Sequence, residues 1–303
     1  MSKFAWLSRI MAPICMASAL SPLLALAAPP DFAPNPRVSW ATIGQMFKPP
    51  AKGAGPVQDD PAHPFITNDD FRLTGKQPTF PVADVSNPIL QPWVREVLRK
   101  RNENILAGKP GFPPRPSCWP RGVPAFLLEG AFQPVFFVQT EKEILWIAQF
   151  DQQIRHIYLD VPHSANVKPS WFGESVGHFE GDTLVVDTIG LNERTVIDEY
   201  LTPHTDKLHV VERIRMTDGG KGLEVNFHVE DPGAFTMPWD AVQRYTRLEP
   251  GVGEYNLPIS DDGTNARASA GLLLEERCAE NPISHLGNEK EAIPLPKAEK
   301  PDF

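Results

Sequence analysis

The stretch SVGHFEGDTLVVDT, residues 175–188, brings four acid–base side chains within ten positions of one another. These side chains are His178, Glu180, Asp182 and Asp187. A carboxylate beside an imidazole fixes the ring tautomer and raises the imidazole pKa, as a general base requires. The stretch is also typical of a hairpin, in which Gly181 supplies the positive φ of a tight turn. The turn accounts for Gly181 and Asp182, and Glu180 could serve either the turn or a pocket. His178 and Asp187 remain as the candidate catalytic pair.

A further candidate acid, Glu212, lies in the strand-like segment LHVVERIRM. Alternation along a strand places Glu212 among the apolar side chains of this segment, whereas His209 and Arg213 point to the opposite face. An isolated buried charge is costly, so Glu212 must be paired, hydrogen-bonded or protonated. Two interpretations stay open. One is a structural ion pair with an arginine such as Arg155 or Arg244, and the other is an acid inside a ligand cavity, where Glu212 and Arg213 would anchor or polarise a substrate.

His204 is an alternative catalytic base, although its loop, PHTD, is also typical of a turn capped by Thr205 and Asp206. His204, Asp206 and His209 form only a weak metal-binding pattern, since their spacing falls short of the H-E-x-x-H motif on a helix. The sequence contains neither a Gly-rich phosphate loop nor a G-x-S-x-G elbow. We therefore expect neither a metal nor a cofactor.

Aromatic side chains cluster in and beside the strand-like segments, and four of them are candidates for substrate binding. They are Trp146, Trp171, Phe172 and Trp239. Such residues pack an ordinary β core, and the same residues would line a cavity for a ligand. The expected partner is a small hydrophobic or aromatic molecule.

The elements that must position these residues are short strands. β-prone runs separated by turn residues follow one another from residue 134 to 248 and predict roughly eight strands. Residues 90–107 have helical spacing and predict one amphipathic helix. The fold is therefore expected to be mainly all-β, an antiparallel β-barrel or two-sheet sandwich of lipocalin-like build.

Proline is unusually frequent, with 33 residues, and the excess lies mainly before residue 125. Proline denies hydrogen-bond donors to helices and sheets, so an extended segment is expected there. We expect a Pro-rich arm or leader over residues 29–88, a single β-rich domain over 89–287 and a disordered tail over 288–303.

Residues 1–28 have the parts of a secretory signal peptide, namely Lys3 and Arg9, an apolar run and a small-residue end. The mature protein is therefore expected in the periplasm or outside the cell, where thiols are oxidised. Cys118 and Cys278 survive the expected cleavage, and we expect a disulfide between them. Two separate buried thiols are the alternative.

Charge and hydropathy exclude two classes of partner. The net charge is −9, and basic residues are dispersed among acids, so nucleic acid is not an expected partner. No apolar stretch of spanning length follows the signal peptide, so no stable membrane span is expected. The oligomeric state cannot be read from these features.

Several stretches carry a resemblance, given from the N-terminus as CWPRGVP, IRHIYLD, WFGESVGHFEGDTLVVDTIGLNERT, PHTDKLHVVERIR and VEDPGAFTMPW. Together they resemble an uncharacterised family of secreted bacterial β-rich proteins of about this length, over roughly residues 90–280. The resemblance implies a shared β-rich secreted fold and no particular reaction. The turn at Leu159–Ser164 departs from the longer Asp-Gly-Arg type turn of that family. Asp160 and His163, which lie in this turn, are therefore only secondary candidates for functional residues.

These features lead to one functional hypothesis and two alternatives. The hypothesis is a secreted or periplasmic enzyme that acts on a small apolar or aromatic molecule by cofactor-independent acid–base chemistry, of lyase, isomerase or hydrolase type. His178 or His204 would be the base, and Asp187 would orient it. The alternatives are a non-catalytic lipocalin-like carrier of a hydrophobic molecule and an envelope interaction protein whose Pro-rich arm docks a partner. The enzyme hypothesis requires His178, Asp187, His204 and Glu212 to surround one cavity.

Overall fold

The computed structural model describes residues 29–35, 37–110, 118–131, 134–149 and 153–248. Within them the chain forms a barrel of nine strands. The strands are β1 Ser39–Thr42, β2 Val135–Gln139, β3 Glu143–Ala148, β4 Gln153–Leu159, β5 Glu174–Glu180, β6 Thr183–Ile189, β7 His209–Thr217, β8 Gly222–Glu230 and β9 Trp239–Leu248. Eight of these strands fall between residues 135 and 248. The predicted mainly β fold is thus confirmed, and of the two predicted architectures the chain adopts the barrel.

Each strand pairs with the next along the chain, and β1 pairs with β9 to close the barrel. The pairing is antiparallel at every step except between β4 and β5, which run parallel with Ile157 opposite Ser175. The connection between these two strands, residues 160–173, must return to the starting end of the barrel, as a parallel pair requires. It carries His163 and Trp171 across the outside of the barrel.

The segment predicted as a Pro-rich arm supplies strand β1 and covers part of the barrel. Phe32, Trp40 and Phe47 are buried, with at most 3% of each side chain exposed. The Tyr200 hydroxyl donates to Asp59 Oδ1 at 2.8 Å, which ties the arm to the loop after β6. The arm and the barrel therefore share one hydrophobic core.

Among the described residues, two α-helices and one 3-10 helix lie between β1 and β2. The α-helices are α1 at Asn68–Thr74 and α2 at Pro92–Leu106, and the 3-10 helix is Ala125–Ala131. Helix α2 is the predicted amphipathic helix. It begins with proline, whose missing backbone N–H would have no intrahelical acceptor at that position. Val94 and Leu98 form its buried face, while Trp93 and Val97 are exposed. Neither α1 nor α2 is long and apolar enough to cross a membrane, and the described residues contain no other helix that is.

Side chains fill the inside of the barrel. Trp146 contacts Phe137 at a ring-centroid distance of 4.8 Å and Tyr245 at 5.9 Å. The Tyr245 hydroxyl donates to the Leu127 carbonyl at 2.5 Å, so the ring is fixed at both ends. A ligand inside the barrel would have to displace these rings. The predicted signal peptide, the tail and Cys278 lie outside the described residues, so cleavage and the Cys118–Cys278 disulfide stay predictions.

Candidate functional site

The hairpin predicted from SVGHFEGDTLVVDT is formed by β5 and β6, with Gly181 at φ +63° in the turn. Alternation sends Thr188 into the barrel and Asp187 to the outer face. His178 also lies on the outer face, opposite Val185, close along the ladder to the Val176–Asp187 pair. The two candidate catalytic residues therefore share a face.

A surface pocket of about 280 Å³ lies over this part of the hairpin. It is lined by Asp160, Val161, Val176, Gly177, His178, Val185, Asp187 and Val211. The valines give the pocket an apolar floor, and its polar groups are an imidazole and two carboxyl side chains. An apolar surface with a few converging polar groups is the usual composition of a small-molecule site.

His178 is paired with Glu180, not with Asp187. Its Nε2 lies 3.3 Å from Glu180 Oε1, and Arg213 donates to the other carboxylate oxygen of Glu180 at 2.6 Å. The hydrogen bonds from Arg213 and His178 lower the pKa of Glu180, so Glu180 stays ionised. This arrangement corrects the expectation that Asp187 orients His178 and that Arg213 anchors a substrate with Glu212. Arg213 holds Glu180, and Glu180 orients His178.

Asp187 has two other imidazole partners. Its Oδ1 lies 3.1 Å from His163 Nε2 and 3.0 Å from His209 Nε2. The remaining ring nitrogen of His163 lies 3.0 Å from Glu174 Oε1. Hydrogen bonds from Ser164, followed by the one from His163, lower the pKa of Glu174. The His163 ring thus lies between two carboxylates and links Glu174 to Asp187.

The same alternation of acid and imidazole continues across β7, β8 and β9. Glu230 lies between His209, whose Nδ1 is 3.7 Å from Oε2, and His228, whose Nε2 is 3.1 Å from Oε1. His228 Nδ1 lies 2.7 Å from Asp240 Oδ1. Partial burial opposes the charge on His228, but the hydrogen bonds with Asp240 and Glu230 outweigh it and raise the pKa of His228. We call the series Glu174, His163, Asp187, His209, Glu230, His228 and Asp240 the acid–imidazole chain.

Glu212 lies inside the barrel and outside the pocket. Glu212 and Arg155 are both fully buried and form a bidentate ion pair, in which Arg155 Nη1 donates to Oε1 at 2.8 Å and Nη2 donates to Oε2. The Arg155 guanidinium also lies 2.9 Å from Thr188 Oγ1 and 3.1 Å from Ser175 Oγ. Of the two interpretations, the structural ion pair is therefore confirmed, and Glu212 is withdrawn as a catalytic residue.

His204 is likewise a buried structural residue, with 3% of it exposed. Burial lowers its pKa, so the ring is neutral. Its Nδ1 lies 2.8 Å from the Thr205 carbonyl and must carry the proton, which leaves Nε2 to accept from the Thr195 hydroxyl at 2.7 Å. Both nitrogens are occupied, so His204 is not available as a base. The expectation that His178, Asp187, His204 and Glu212 surround one cavity is therefore wrong, and of the four only His178 and Asp187 line the pocket on the outer face. His209, its proposed partner in a metal site, contacts Asp187 on the outer face instead.

The aromatic candidates separate into core residues and one surface residue. Trp146 and Trp239 are fully buried, with Trp239 against Phe227 and Phe235. Phe172 packs on Phe126 at a centroid distance of 5.3 Å. Trp171 lines a surface depression that is separate from the pocket of His178.

The His178–Glu180 pair could be predicted from the sequence, whereas the position of His163 could not. Residues i and i+2 of a strand share a face, so the His178–Glu180 pair follows from alternation alone. The position of His163 depends on the parallel β4–β5 connection, which no local pattern indicates.

Among the described side chains, no group of three or more His, Cys, Asp or Glu residues is arranged to hold a metal ion. No family model, curated protein or solved structure matches this chain.

Proposed function

We propose that this protein is an enzyme that performs general acid–base chemistry on a small molecule in the pocket between His178 and Asp187. The observation that carries the proposal is the relay Arg213–Glu180–His178, which ends at a pocket that also contains Asp187. A histidine held by an ionised carboxylate, itself held by arginine, is a common way to orient a general base.

His178 is the base in this proposal. Its Nε2–H points to Glu180, so Nδ1 is left to accept a proton from the substrate or from a water molecule. The His178 side chain is 54% exposed, so its ring can exchange the proton with solvent after each turnover. A base that removes a proton in this way suits a lyase, isomerase or hydrolase reaction.

Asp187 positions the substrate. His163 and His209 both contact its Oδ1, so the carboxylate is fixed and its Oδ2 can accept a hydrogen bond from a hydroxyl or amine of the substrate. Val176, Val185 and Val211 provide the surface for the apolar part of the molecule. The substrate is therefore a small molecule with one apolar face and one hydrogen-bond donor.

The interaction-protein alternative is supported by a different observation. Val138, Ile154 and Tyr158 point outward from β2 and β4, and each is between 42% and 46% exposed. Exposed apolar side chains close together on a sheet are a feature of protein-binding surfaces. The carrier alternative is less well supported, because Phe137, Trp146 and Tyr245 occupy the barrel interior.

The test is consumption of compounds from a small-molecule extract of bacterial cells, followed by mass spectrometry. The wild type is compared with His178→Ala and with His156→Ala. His156 is a matched control, since it is an exposed histidine 2.5 Å from the carboxylate of Glu143 and outside the pocket lining. We expect a compound that the wild type and His156→Ala consume, and that His178→Ala consumes at least about 100-fold more slowly.

Glu180→Gln and Asp187→Asn separate the two roles. Loss of the orienting carboxylate should lower kcat and change the pH dependence of kcat, whereas loss of the substrate anchor should raise KM. Equal turnover by the wild type and His178→Ala would refute the proposed base. A compound that is retained by the protein without being changed would favour the carrier.

A further inference from the structure

A second surface depression, of about 460 Å³, lies next to a contacting pair of tryptophans, of which Trp119 is exposed and Trp171 is half-buried. Trp171 lines it, and the ring of Trp119 lies 5.8 Å from that of Trp171 at an interplanar angle of 44°. Trp119 is 39% exposed, which is unusual for so large an apolar side chain. The two rings thus form an aromatic surface that the described core does not cover.

The other side of the depression is polar. Its lining includes Asn192, Glu193, Arg194 and Asp206. The side chains of Glu193, Arg194 and Asp206 are exposed, and none of the three makes a hydrogen bond with the residues that the structure describes. Their donors and acceptors are therefore available to a ligand.

The loop that carries these residues is fixed in place. The Asn192 amide donates to the Ser170 carbonyl at 2.9 Å, and its side chain accepts from the Arg194 amide at 2.9 Å. Thr195 returns a backbone hydrogen bond to the Asn192 carbonyl at 3.1 Å, and its hydroxyl lies 2.7 Å from buried His204. His204 therefore helps to fix the loop, and the lining of the depression is preorganised.

The composition of the depression selects among ligand classes. Glu193 and Asp206 outnumber Arg194, which disfavours an anion. The guanidinium of Arg194 disfavours a quaternary ammonium ion, for which an aromatic cage without a cation is the usual site. A wholly apolar ligand would desolvate three charged side chains without replacing their hydrogen bonds.

A neutral sugar satisfies all of these groups. One face of a pyranose ring presents C–H groups that pack on an indole ring, and its hydroxyls both donate and accept hydrogen bonds. Carboxylate, amide and guanidinium side chains are the planar groups that can bind two neighbouring hydroxyls at once. The volume is sufficient for one or two rings. We propose that this depression, with Trp171 as its stacking surface, is a binding site for a neutral saccharide.

This site does not depend on the acid–base proposal, because its lining shares no residue with the pocket of His178. The lining of each depression nevertheless includes residues of the connection between β4 and β5. The isolated parallel bridge between Ser170 and Leu191, next to Trp171, lies close in sequence to the Glu174–Ile189 end of the antiparallel β5–β6 ladder.

The test is calorimetric titration of the full protein with neutral di-, tri- and tetrasaccharides of glucose, xylose, galactose and N-acetylglucosamine. We expect one series to bind the wild type, Trp171→Ala to weaken binding by about ten-fold or more, and Asp206→Asn to weaken it by about three-fold. Tyr158→Ala is the control, since Tyr158 is an aromatic residue on the outer face of β4 that is 45% exposed and outside the lining of the depression. Its affinity should match that of the wild type, as should that of His178→Ala.

Trp171→Phe keeps the result interpretable if Trp171→Ala unfolds, since a smaller ring should retain part of the affinity and the fold. Thermal denaturation of each variant provides the check on folding. The proposal is refuted if no saccharide binds the wild type at about 10 mM, or if Trp171→Phe and Asp206→Asn bind as tightly as Tyr158→Ala. Binding of tetramethylammonium in place of the saccharides would also overturn it.

Discussion

Removal of one partner from the buried Arg155–Glu212 pair should strongly destabilise the barrel. In Glu212→Gln, the guanidinium remains charged because arginine is not deprotonated in proteins, but its counter-charge is lost. The amide oxygen of glutamine can still accept one hydrogen bond from Arg155, whereas the amide NH2 faces the other guanidinium N–H without an acceptor. An uncompensated buried charge of this kind costs about 3–5 kcal/mol. That is a large part of a total stability of about 5–15 kcal/mol.

The double replacement Arg155→Met with Glu212→Leu should behave differently. It removes both charges together with their desolvation cost, so its stability should lie near that of the wild type or above it by about 1–4 kcal/mol. The single variants Arg155→Met and Glu212→Leu complete a cycle with this double variant, and its coupling energy should amount to several kcal/mol.

Urea unfolding followed by tryptophan fluorescence measures these differences as shifts of the midpoint at constant slope. The outer pair Arg213–Glu180 is the matched control, since each side chain is 49% exposed and its loss should cost less than about 1 kcal/mol. If Glu212→Gln lost no more stability than Glu180→Gln, or if the double variant were as unstable as the sum of the singles, the burial argument would be refuted.

Three further predictions concern pH and backbone strain. Burial raises the pKa of Asp198 to about 6, against 3.8 for a free side chain, so the folded state holds an extra proton in this range. The free energy of unfolding should therefore fall as pH rises from about 4 to 6, and Asp198→Asn should flatten that slope in urea titrations. Hydrogen bonds to Asp240 and Glu230 overcome partial burial and raise the pKa of His228. Its stabilising contribution, below about 1 kcal/mol, should be present below pH 6.5 and lost as pH rises through the raised pKa, and NMR titration of the ring with His228→Gln as control would detect this. Gly122 has φ +76°, and an added Cβ would lie 2.5 Å from Thr195 Cβ. Gly122→Ala should therefore unfold at a clearly lower temperature than Gly181→Ala, where a Cβ meets nothing within 4 Å.

The sequence predicts the strands that follow residue 134 because each has an alternating pattern and a turn at its end. It does not predict β1, since SWAT is only four residues long and lies among prolines. The pairing of β1 with β2 and β9 is determined by closure of the barrel and not by the local sequence. The parallel β4–β5 pair is hidden for the same reason, because its register depends on where a long connection returns.

For the candidate site, too, the sequence predicts what depends on local pattern and not what depends on tertiary packing. Alternation correctly places Glu212 on the core-facing side of its strand. It cannot identify the partner of Glu212, because Arg155 lies on β4, which β5 and β6 separate from β7 around the barrel. One of the two partners of Asp187 is also hidden, since His163 comes from a loop whose path is decided by tertiary packing.

The strand pairing that closes the barrel has a kinetic consequence. Ser39 pairs with Leu248, so the first strand of the barrel meets the last one across almost the whole described chain. Contacts between such distant residues form slowly, because the entropy of closing the loop must be lost before the contact stabilises it. Until β1 is in place, β2 and β9 each present an open edge to which another chain can pair. We therefore expect the state that lacks β1 to be prone to aggregation, and the rate at which Ser39–Thr42 dock to influence the yield of folded protein.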